Sequence, residues 1–166
     1  MNSQVHRALF GTVVAVVLGL SAWSARASEE HDHDNPRSIA TVSFGAGLNT
    51  AQPGNAANHH VLPPVIRIKK GGVVNFLVAG FHQVWIFQPG KALAHVVVPA
   101  TGTFIDDVDR LYYRGIHPAA PPPAGISNAQ NRVESVSFAE PGVYLVICNV
   151  RPHFLDGMYA SVVVHN

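Results

Sequence analysis

A single cysteine, Cys148, stands among 166 residues, so no intrachain disulfide can staple the chain. Long apolar runs are missing as well. The longest, residues 8–20, is interrupted by Gly11 and Gly19 and falls short of the roughly 20 apolar residues that span a bilayer. There is no basic block to grip a nucleic-acid backbone and no charge run suited to a membrane-surface helix. Internal repeats are absent too. These gaps exclude a disulfide scaffold, a multispan membrane protein, a repeat array and a nucleic-acid binder.

The N-terminus fixes the expected compartment. Residues 1–7 are basic without an acid, residues 8–20 are apolar, and Ala25, Arg26 and Ala27 place small residues two apart. That order describes a secretory signal peptide cleaved after Ala27, and hence a soluble protein in the periplasm. Cleavage leaves 139 of the 166 residues, enough for one domain with one core. It also removes Arg7 and Arg26, so 11 Lys and Arg fall to 9 against 10 Asp and Glu, a formal charge of −1. An exported protein usually pairs its cysteines. A lone thiol there needs burial or a ligand.

Residues 28–38 are polar and acidic with two histidines, His31 and His33, and read as a flexible tail ahead of a domain over 39–166. From Ile39 onward, short β-type runs alternate with Gly, Pro and Asn. The strands expected are 39–44, 65–70, 73–79, 83–87, 95–98, 132–138, 143–148 and 159–164. Ile66 and Ile68 alternate with Arg67 and Lys69, while Val74, Phe76 and Val78 share a side. About eight short strands with turn signals between them predict an all-β fold, a Greek-key sandwich or barrel. Within it, residues 103–115 carry a helix-start signal at Asp106 and Asp107 and a stop at Gly115, predicting a short helix. The Pro-rich stretch 118–125 cannot be a central strand and reads as a surface loop.

Chemistry concentrates in residues 148–158, where Cys148, His153 and Met158 are spaced C-x4-H-x4-M between two expected strands. Thiolate, imidazole and thioether from one loop suit a soft, redox-active metal. Two histidines and a cysteine in a plane with a weak axial methionine make the blue-copper arrangement. Zinc competes for such residues but rarely takes a thioether. A second histidine must come from elsewhere. His82 is the leading candidate because it enters a strand from a glycine-flanked loop; His95, His117, His59 and His60 are its rivals.

These residues resemble the cupredoxin (type 1 blue copper) family, which includes plastocyanin, azurin, pseudoazurin and rusticyanin, across residues 39–166. Gly142, Tyr144 and Cys148 match the family's G-x-Y-x-x-x-C approach to its ligand loop, and His82-Gln83-Val84 matches its first-ligand H-[N/Q]-V. The loop spacing, with Gly157-Met158 before the last strand, looks most like rusticyanin's. The resemblance implies one copper ion cycling between Cu(II) and Cu(I), with His82, Cys148 and His153 equatorial and Met158 axial. It also implies electron transfer rather than enzymatic catalysis, in a monomer whose redox partner docks near His153 at the solvent edge. Gln83 and Asn149 are expected to hydrogen-bond the ligand loops together. Trp85 and Phe87 are expected to fill the core, and Arg151 to supply charge at the rim or simply be solvated. The alternative is a periplasmic copper-tolerance protein that uses His31 and His33 as accessory ligands. His82 and Cys148 lie 66 residues apart, farther than in the small plastocyanins, because of the insertion between them. No extra histidines mark a second, catalytic copper.

Overall fold

A computed structural model describes residues 37–46, 58–119 and 130–166. The expected signal peptide, His31, His33 and most of the Pro-rich loop lie outside the described residues. The first strand, β1 (Arg37–Gly45), already includes Arg37 and Ser38, which the sequence had placed in the tail. It is followed by β2 (Val61–Leu62), β3 (Val65–Ala79), β4 (Val84–Phe87), β5 (Leu111–Arg114), β6 (Asn131–Phe138), β7 (Gly142–Cys148), a five-residue helix α1 (Arg151–Leu155) and β8 (Tyr159–His165).

The architecture is all-β, as the alternation predicts, and it turns on β3. Its first half, from Val65 to Lys69, runs parallel to β8, whereas its second half, from Gly72 to Ala79, lies between β1 and β6. One strand therefore belongs to two layers. The first layer is β2-β1-β3-β6 and the second is β3-β8-β7-β4-β5. The crossing falls at Gly71 and Gly72, where a methyl group on Gly72 would come within 2.7 Å of the Lys69 carbonyl. The sequence reads those glycines as a break between two strands; here they let one strand bend.

Along much of β3, β6 and β8 every second residue points inward. Val42, Phe44, Ile68, Val74, Phe76, Phe138, Val146 and Val162 are completely buried in one core between the layers. β4 is buried on both faces. Its outer side carries Trp85 and Phe87, which join Ile105, Leu145 and Ile147 in a second cluster under the segment 93–111. Both aromatic residues thus occupy cores.

That covering segment departs from expectation twice. No helix forms over 103–115: residues 103–110 are irregular, and Leu111–Arg114 is β5, paired with β4. Asp107 spends its carboxylate on Lys91, 2.9 Å away, and on the Val97 N–H at 2.8 Å, rather than on a helix start. Residues 95–98 are not a strand; Leu93–His95 form one 3-10 turn, and residues 96–98 continue without regular structure.

Candidate metal centre

Strand register explains how residues 66 apart in sequence meet. β7 pairs antiparallel with β4 so that Cys148 lies opposite Val84, two residues from His82. Past the strand ends the pairing continues, with the Asn149 N–H donating to the Gln83 carbonyl at 2.8 Å. His82 sits on the turn between β3 and β4, with Gly80 at a φ of +107° before it. The loop after Cys148 folds back on itself through α1. The Met158 N–H donates to the His153 carbonyl and the Cys148 N–H to the Met158 carbonyl, both at 3.0 Å.

Three donors converge as a result. Cys148 Sγ lies 3.6 Å from His82 Nδ1 and 3.7 Å from His153 Nδ1, and the two nitrogens are 3.0 Å apart. The circle through those three atoms has a radius of about 2.0 Å, which is a metal–ligand bond length. Met158 is fully buried immediately before β8, in the same core cluster as Cys148, and adds a thioether to the group. A trigonal N2S face with one soft thioether fits a copper ion in both oxidation states better than it fits zinc. His82, Cys148, His153 and Met158 thus form a group that could hold one copper ion.

The electrostatics suit a cation. Burial, with help from His153, His59 and Arg132, lowers the His82 pKa to about 3. Burial and His59 lower that of His153 to about 4, against the pull of Asp156. Burial pushes the Cys148 thiol up to about 12. At neutral pH both imidazoles therefore offer lone pairs, and the thiol gives up its proton only where a cation takes its place.

Gln83 and Asn149 link the two halves of the site. Asn149 Nδ2 donates to Gln83 Oε1 at 2.8 Å, and Gln83 Nε2 donates to the Gly115 carbonyl at 2.8 Å. All three residues are buried. The insertion locks onto the same loop: the Ile105 N–H donates to the Asn149 carbonyl and the Arg151 N–H to the Thr103 carbonyl. Arg151 turns its guanidinium onto the Pro99 and Ala100 carbonyls at 2.7 and 2.9 Å, so it tethers the insertion rather than charging the rim.

Of the rival histidines, His95, His117 and His60 lie away from the three donors; His95 and His60 are exposed, and His117 packs on Phe104. His59 is different. Its ring stacks on that of His153, with centroids 3.8 Å apart and planes 25° apart, and its Nδ1 lies 2.6 Å from Asp156 Oδ2. His153 is consequently half-buried under another imidazole instead of forming the bare solvent edge. Sequence reasoning misses this cover, because nothing in the spacing of 59 and 153 announces a contact. It also misses Gly45, which touches the back of His82, and the charged pair Arg132 and Glu134 behind it. A signal for the pair exists: both occupy inward positions of β6, where alternation calls for apolar residues.

No family model and no curated protein matches the chain. Among solved structures it is similar to a dithionite-reduced auracyanin from the photosynthetic bacterium Roseiflexus castenholzii, at 15% identity and a TM-score of 0.49, covering 80% of this chain and 100% of that one. It is also similar to a pseudoazurin from Methylobacterium extorquens, at 21% identity and a TM-score of 0.41, covering 77% and 76%. A third likeness is to a purple cupredoxin from Nitrosopumilus maritimus, at 16% identity and a TM-score of 0.40, covering 75% and 98%.

Proposed function

We propose that this chain is an exported cupredoxin that binds one copper ion through His82, Cys148 and His153, with Met158 as axial donor, and carries single electrons. The buried triangle of two Nδ1 atoms and one Sγ, sized for a bonded ion, carries this reading. Bound copper would supply a one-electron couple between Cu(II) and Cu(I). The protein's part is to hold the donors still while the charge changes. The Gln83–Asn149 link and the paired backbone on either side of Cys148 do so, because none of these groups must move between states. The buried side chains keep water from the donors, and His59 covers the remaining edge.

The sequence of residues 1–27 supports export to the periplasm, and no described helix is long and apolar enough to cross a membrane. A redox partner would approach the monomer over His153, meeting exposed Pro152 and Leu155 beside the His59–Asp156 pair.

Adding Cu(II) to the metal-free protein tests the reading. An intense visible thiolate-to-copper band and a reversible one-electron wave are expected, and His82→Ala or Cys148→Ser should abolish both. A protein that binds zinc tightly yet stays colourless with Cu(II) would defeat it. The alternative role in copper tolerance predicts extra copper bound per chain through His31 and His33, lost when residues 28–36 are removed.

A further inference from the structure

β6 turns Arg132, Glu134, Val136 and Phe138 inward, so the half of its buried face nearest the site is an ion pair rather than hydrocarbon. Both charged side chains are only 2% exposed. Arg132 Nε donates to Glu134 Oε1 at 2.6 Å, and Nη2 donates to the His82 carbonyl at 3.1 Å and the Ile116 carbonyl at 2.8 Å. Glu134 faces the other way. Its Oε2 accepts from the Tyr113 hydroxyl at 2.9 Å and its Oε1 from the Ile116 N–H at 3.3 Å. It also packs so closely on Gly115 that a methyl group there would overlap Oε2. The two charges share Ile116, but the guanidinium bonds to the His82 backbone while the carboxylate bonds to the Tyr113 hydroxyl, which gives the pair a direction.

Burying two charges usually gains no more than a well-packed apolar pair would, so stability alone is a weak reason for this one. We propose that Arg132 is a positioning residue of the metal centre whose buried guanidinium biases bound copper toward Cu(I). This rests on the copper reading above.

The physics is direct. Reduction removes one unit of positive charge from the site, and a fixed cation nearby in a poorly polarisable interior favours the state with less of it. Glu134 partly offsets the effect from farther away. The same asymmetry acts on neighbouring groups. After burial, His153 and His59, Arg132 also opposes protonation of His82, and it favours the thiolate of Cys148. Glu134 instead acts on the Tyr113 hydroxyl, where its charge follows burial in raising the pKa.

The test uses the copper-loaded full-length protein and reads its midpoint potential together with its Cu(I) and Cu(II) affinities by chelator competition. Arg132→Gln should move the potential down and cut the preference for Cu(I) on the order of tenfold. Glu134→Gln should move it up, since the Tyr113 hydroxyl can turn to accept from the new amide. Arg132→Lys should stay nearer to wild type than Arg132→Gln. Both neutralising variants should lower the denaturation midpoint of the metal-free protein, so a purely structural role would shift the potential the same way in each. Opposite shifts support the inference. Shifts of one sign, or an unmoved potential, overturn it, and Glu134→Gln decides alone if Arg132→Gln does not fold. A wild-type protein that gives no charge-transfer colour with Cu(II) removes the copper reading and this inference together, whereas a coloured wild type with unresponsive variants removes only the inference.

Discussion

Gly45 ends β1 with a φ of +83°, in the left-handed region where a side chain is strained, and it lies against the imidazole of His82. A methyl group there would overlap His82 Nε2 and sit 2.6 Å from the Ala79 carbonyl. Because the opposite ring nitrogen, Nδ1, faces Cys148 and His153, pushing on Nε2 drives a donor out of its triangle. Gly45→Ala should therefore destabilise the protein by about 1–3 kcal/mol and weaken or shift the copper band, read from denaturant melts and absorption spectra. Acidity probes the same residues. His82 and His153 titrate near 3 and 4 when folded but near 6.5 when unfolded, so the unfolded chain takes up protons first as pH falls. Their contribution to stability is complete above pH 6.5 and is lost between 6.5 and about 3. Cys148 acts on the other side, its thiol surviving to about 12 when folded against 9.0 when unfolded, so stability is lost as pH climbs through that window. The metal-free protein should be most stable between these limits. A denaturation midpoint that stays flat from pH 7 to pH 4 would contradict the burial of both imidazoles. The donors in residues 148–158 are legible in sequence because one short loop carries them. Gly45 and His59 are not, since each acts across space from a strand or loop with no motif of its own, and Arg132 shows only as a charge at an inward position of β6.

Among the elements, the segment from Gln88 to Arg110 illustrates what local reading cannot see. Asp106 and Asp107 look like a helix start, yet Leu111–Arg114 finds a free edge on β4 and pairs there. The edge pairing gives Leu111 a place in the outer cluster and frees Asp107 to bind Lys91. The runs expected to be strands over 132–138 and 159–164 do form strands, β6 and β8. The two glycines within β3 mislead for the same reason as the aspartates, because only the partner strands reveal that the chain continues. Lys91 and Asp107 are 4% and 3% exposed and sit at the base of the segment that covers Trp85, Phe87 and Ile147. Removing Asp107 leaves the buried Lys91 ammonium with only the exposed carboxylate of Asp109, 3.1 Å away, and two backbone N–H groups without their acceptor. Asp107→Ala should thus cost about 3 kcal/mol, measured by chemical denaturation. It should also loosen residues 97–109, seen as faster amide exchange at Val97 and Asp109, whose N–H groups bond to that carboxylate. Unchanged exchange at those two amides would show that Lys91 and Asp107 do not hold the segment.

At the scale of the whole molecule, the metal site is an end cap on a core that closes without it. Twenty buried residues from β1, β2, β3, β4, β6, β7, β8 and the ligand loop pack into the main cluster, and only Cys148 and Met158 among them are metal donors. β3 ties the two layers together by pairing with β1, β6 and β8 in turn. Small metal-dependent domains unfold when their ion is withdrawn because the ion replaces a core they lack. Here the hydrocarbon is in place, and the donors are already hydrogen-bonded into position through Gln83, Asn149 and the Met158 backbone. The ion instead joins the turn after β3 to the loop after β7, two segments that unfolding would separate. Chelating the metal should leave the β-sheet circular dichroism intact and the unfolding transition cooperative. Restoring copper at a hundredfold excess over its dissociation constant should add about 2.7 kcal/mol, raising Tm by about 10 °C. His82→Ala should erase most of that gain while leaving the metal-free melt within a few degrees of wild type. A metal-free chain that lacks sheet signal, or that melts without cooperativity, would mean that the ion builds the core rather than capping it.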